Sequence, residues 1–145
     1  MLSWLPELSP VVRHPFPAIP RLNIKPSAVL RRTAITLQTL MHQAGSCSAD
    51  ALALAGVMDV IHGINKPTDV LRRRAEAEAY DFIAVYTEEA AASGTAPDVL
   101  AGLRLVGDVL AAADIARKQE RETGQLCSYA RVEEIVGTMY AQNHN

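Results

Sequence analysis

The sequence predicts an all-α protein, a single-domain helical bundle of about five helices with a long antiparallel helical hairpin and an extended, proline-rich N-terminal arm. Apolar residues after Pro26 recur at steps of three and four, and no stretch alternates as a half-buried strand would. Serine, glycine and proline punctuate those periodic runs where helices start and stop. Six of the eight prolines (Pro6, Pro10, Pro15, Pro17, Pro20, Pro26) fall at the start of the chain, where each removes an amide donor and fixes φ. At 145 residues the chain suits one domain, and 49% hydrophobic against 21% charged residues excludes wholesale disorder. The expected divisions are an apolar arm over residues 1–26, a bundle over 27–142 and a polar tail over 143–145.

The arm carries Trp4, Leu5, Leu8, Val11, Val12, Phe16, Ile19, Leu22 and Ile24, too apolar for a solvated linker. It is expected to be buried, either against its own bundle or across a second subunit or partner, with Trp4 and Phe16 as anchors. Ser27 is positioned to cap a first helix whose face is Leu30, Ala34, Leu37, Met41 and Ala44, ended by Gly45. Ser48 caps a second, through Leu54, Met58 and Ile61, with Gly63 as its stop and Pro67 beyond. A third is expected from near Pro67 to about Ala92, its face formed by Leu71, Ala75, Ala79, Phe82, Tyr86 and Ala90. Thr95 and Asp98 have capping-box spacing, with Pro97 in the first turn, so a fourth helix runs from about Ala96 to Glu122 and stops at Gly124. That helix is apolar most of the way round and belongs at the centre of the bundle. Gly102 and Gly107 inside it are expected where another backbone comes close. Ser128 caps a last helix through Val132, Ile135, Val136 and Met139, with Glu133 and Glu134 read as a solvated face.

Net charge is −2, but it is unevenly distributed. Residues 1–75 hold nine basic and four acidic side chains, and residues 76–145 five basic and twelve acidic. Within the basic half, Arg31 and Arg32 and the run Arg72, Arg73 and Arg74 are the candidate partner-binding side chains, suited to an acidic protein surface. Two cysteines are too few for a disulfide scaffold, and no basic-then-apolar leader opens the chain, so a cytoplasmic protein is expected. No 18-residue stretch lacks charge or proline, which argues against a membrane span.

Catalytic and metal chemistry find little support. Cys47 near a helix start, with His42 and His62, is the one nucleophile–base grouping, and it matches no motif of a cysteine enzyme. The same residues with Cys127 have no metal-ligand spacing, and no glycine pattern forms a phosphate loop. No catalytic residue, metal or cofactor is therefore expected. The turn at Gly63 followed by three arginines imitates a helix-turn-helix unit, but the second helix is too long, Asp69 would face the groove and the pI is about 6.1. The leading expectation is a non-enzymatic interaction protein that binds a protein partner as a regulatory or inhibitory subunit and forms a homodimer. A DNA-binding transcriptional regulator using the basic half is the alternative, and an enzyme with an apolar bundle cavity the second alternative.

Overall fold

The computed structural model describes the backbone of residues 26–143 and the side chains of residues 28–141. The arm and the extreme C-terminus lie outside the described residues, and with them Trp4 and Phe16. Among the described residues there are five helices and no strand: α1 (Pro26–Ala44), α2 (Ala49–His62), α3 (Val70–Ala92), α4 (Pro97–Thr123) and α5 (Tyr129–Asn143). Helix α1 begins at Pro26, one residue before the serine expected to cap it. The Ser48 hydroxyl accepts from the Ala51 amide and Ser128 from that of Arg131, two of the three serine caps the sequence predicts. Helix α3 starts three residues after Pro67, because Asp69 is its N-cap and accepts from Arg72 N at 2.7 Å. At α4 the N-cap is Ala96, and no side chain caps the helix; Asp98 accepts from the adjacent Val99 amide instead of completing a box with Thr95. Gly124 ends α4 with φ +80°, a left-handed conformation that only glycine adopts without strain.

Helix α4 is the axis of the bundle. Helices α1, α3 and α5 pack directly on it, while α2 bridges α1 and α3 on the far side. The short turn through Ser93 and Gly94 folds α3 back on α4 as the expected antiparallel hairpin. Leu103, Val106, Val109 and Ala112 of α4 meet Leu37, Leu54, Ile83, Val132 and Val136 in one continuous core. Gly102 sits where α1 crosses, since a Cβ there would lie 2.8 Å from Thr36 Oγ1. Gly107 has ordinary room, with its nearest neighbour Ile83 Cγ2 at 3.7 Å from a built Cβ, so Gly102 alone is tightly crowded, and by a side chain of α1 rather than by the backbone the sequence led one to expect.

The predicted apolar face of α3 is only partly covered. Ala79 and Ile83 are buried and Phe82, Tyr86 and Ala90 pack against the core, but Leu71 is 77% exposed because the first turns of α3 overhang the bundle. Helices α3 and α5 flank α4 without packing on each other to any extent, which leaves one sector of the central helix open.

Candidate functional site

That open sector is a groove. Its floor is the α4 stripe Ala101, Arg104, Gly107, Asp108 and Ala111, which recurs at helical spacing and so faces one way. One wall is Tyr80, Ala84, Thr87 and Ala91 of α3, and the other Met139 and Tyr140 of α5. This part encloses about 620 Å³, and a further depression of about 420 Å³ continues past Tyr80 and Ala111 toward Arg73, Ile115 and Arg121. Small side chains line most of the length, so a bound segment could approach the helix backbones closely. Tyr80 and Ile115 are among the exposed large hydrophobics of the surface, as is Val85 on the same helix as Tyr80.

Polar groups close the α5 side. The Tyr140 hydroxyl hydrogen-bonds Asp108; burial raises the Asp108 pKa, and the Tyr140 hydrogen bond offsets part of that rise. Burial, then the Asp108 charge, pushes the Tyr140 phenol far above its usual range. Arg32 of α1 lies beside this pair, its pKa lowered by burial and partly restored by Tyr140. Two turns earlier on α5, Glu133 is buried rather than solvated as the sequence suggested, because its neighbours on that face pack on α1. Burial lifts its pKa to about 7 although the Leu30 amide favours the charged form, and its Oε2 has no hydrogen-bond partner.

A second buried ion lies at the opposite end of α4. The Arg117 guanidinium, 2% exposed, donates to Glu76 Oε2 at 3.1 Å and to the backbone carbonyls of Gly63 and Lys66 at 3.2 and 3.0 Å. Glu120, 3.8 Å from Arg117, accepts from the Thr68 hydroxyl and the Cys127 amide. Burial raises the Glu120 pKa, but those donors with Arg117 and Arg121 outweigh it and hold the carboxylate below its usual value. These contacts join the α2–α3 loop, α3, α4 and the α4–α5 linker, with every nitrogen of the guanidinium engaged. Their role is to fasten the fold.

The candidate arginines divide by role. Arg31 is exposed on α1, while Arg32 is half-buried beside Tyr140 and outside the groove lining. Arg72 donates to the carbonyls of Pro67 and Gly63 and so holds the turn before α3. Arg73 lines the lower groove, and Arg74 faces solvent in a 3.3 Å pair with Glu78. The groove therefore gathers one of the five described candidates and several residues the sequence reading passed over. The missed wall had a signal, since Tyr80, Ala84, Thr87 and Ala91 form a second stripe at spacings of four and three. Glu133 had one too, sharing the stripe of Tyr129, Val136 and Tyr140.

Cys47, His42 and His62 are exposed, and Cys127 is buried with its thiol pKa raised by burial. Among the described residues no group of three or more His, Cys, Asp or Glu side chains could hold a metal ion, and no helix is long and apolar enough to cross a membrane. Comparisons with protein-family models, curated proteins and solved structures find no match to this chain.

Proposed function

We propose that the protein is a non-enzymatic helical interaction module whose α3–α4–α5 groove receives an apolar segment of a protein partner, so that it acts as a regulatory or inhibitory subunit. The observation that carries this reading is an axial helix left uncovered along the sector where α3 and α5 stand apart, floored there by the small residues Ala101, Gly107 and Ala111 between Arg104 and Asp108. Burying each large apolar side chain of a partner in such a groove contributes about 1.5–3 kcal/mol before the cost of ordering. Arg73, which has no ion pair among the described residues, stands at the lower end of the groove to meet a carboxylate of the partner.

The reading is tested with a photo-crosslinking amino acid at Ala84, irradiated in extract of the native host. A discrete protein adduct that disappears in an Ala111→Arg background supports it, above all if binding persists at high salt. Adducts to nucleic acid, or binding that falls steeply with salt as phosphate contacts require, would instead favour the DNA-binding alternative.

A further inference from the structure

Helix α1, where the described chain begins, packs on α4 and on α5, one wall of the groove. Pro26 precedes Arg32 by six residues of α1, about 9 Å of helix rise, and Arg32 lies against Tyr140, which lines the groove. Twenty-five residues precede Pro26. Extended at about 3.1 Å per residue they reach roughly 80 Å, several times the length of the groove.

The proximal part of this segment has a pattern that fits. Pro15, Pro17 and Pro20 favour the polyproline-II conformation, whose three-residue turn brings every third side chain to one edge. On that edge stand Phe16, Ile19 and Leu22, bracketed in the same phase by Arg13 and Lys25. From Phe16 to Leu22 such a segment covers about 19 Å. The upper groove, from Tyr80 to Ala91 along α3, measures about 16 Å. A polyproline-II segment has no internal hydrogen bonds and needs no sheet edge, so a groove walled by helices can receive it. Charge agrees as well, because the upper groove presents Glu88 and Asp108 against Arg104, whereas residues 1–25 carry Arg13, Arg21 and Lys25 against Glu7.

We infer that residues 1–25 dock in cis in the α3–α4–α5 groove, with Phe16, Ile19 and Leu22 as the inserted edge, and that a partner binds by displacing them. The inference rests on the groove being a docking surface, as proposed above, and adds a competitor built into the chain. Tethering supplies a high effective concentration, and prolines reduce the entropy lost on docking, so modest contacts suffice. An arm docked nine-tenths of the time lowers the apparent affinity for a partner about tenfold.

Trp4 is the chain's single tryptophan, so a Trp4→Phe, Phe16→Trp variant places the sole indole on the predicted edge. Its emission should be blue-shifted and shielded from acrylamide in the full chain, at every protein concentration. Ala84→Arg or Ala111→Arg should restore a solvent-like emission while the helical circular dichroism and melting stay unchanged. An indole exposed from the outset, or shielding that ignores both groove variants, overturns the inference. Shielding that grows with concentration, alongside dimer in light scattering, also overturns it, in favour of a second copy of the chain as the occupant. Deleting residues 1–22 should raise the crosslinking yield at Ala84 several-fold. A shielded indole without any partner adduct in either chain would defeat the partner reading alone, and a partner adduct with an exposed indole would defeat only the arm.

Discussion

Arg117 and Glu133 are two buried ions with opposite consequences. Arg117 has a partner for each nitrogen, and replacing it with methionine should cost about 3–5 kcal/mol, because Glu76 would then be left with an uncompensated buried charge. The midpoint of urea unfolding reads that loss, and adding Glu76→Gln to Arg117→Met should recover part of it. Glu133 is raised from 4.5 to about 7, so between those values the folded chain holds a proton that the unfolded chain has released. Stability should therefore fall as pH rises from about 4.5 to 7, by an amount on the order of 2 kcal/mol. Glu133→Gln should flatten that decline and melt higher than the parent chain at pH 8. Both buried charges stand on apolar stripes, Arg117 following Val106, Leu110 and Ala113, yet the sequence reading took Glu133 as solvated and did not single out Arg117. Their opposite fates depend on which carbonyls and carboxylates the other helices deliver, and spacing within one helix does not contain that information.

Among the elements, the junction of α2 and α3 best separates local from tertiary causes. Gly63 has φ −88°, so the backbone there does not demand glycine. The place a Cβ would take there is filled by the far end of the Arg72 side chain, whose guanidinium donates to the Gly63 carbonyl and could shift aside only by giving up that bond. Arg72→Ala should consequently lower stability by about 1–2 kcal/mol, whereas Arg73→Ala and Arg74→Ala should each stay within about 0.5 kcal/mol. Thermal melts of the three single variants distinguish this from a run of equivalent surface charges. Ser48→Ala should cost about 1 kcal/mol in the same assay, since it removes the cap from the Ala51 amide. Caps and stops at Ser48, Gly63, Gly124 and Ser128 were legible because each acts within a turn of its own helix. The start of α3 and the uncapped start of α4 were misread because Asp69 competed with Pro67, and Asp98 turned to its own neighbour.

For the whole molecule, the two sides of α4 should respond differently to added bulk. Gly102→Val meets Thr36 across the α1 crossing and should destabilise by about 1–3 kcal/mol. Ala111→Arg, on the open sector, should leave the melting temperature within a few degrees and alter only what the groove holds. Reversed outcomes would mean that α4 is rotated in the bundle. An all-α fold, five helices, the hairpin and the axial place of α4 all follow from periodicity, capping and a short connection, which are properties of contiguous residues. The sequence by itself also concentrates large apolar side chains, from Trp4 to Ile24, in a proline-rich segment. Only the packing of the helices decided that α3 and α5 stand apart, that Arg32 and Arg72 serve the bundle while Arg73 lines the groove, and that Glu133 is buried. Each of those outcomes depends on the rotation of one helix about its axis relative to another, and that angle is set by the combined fit of all five apolar faces.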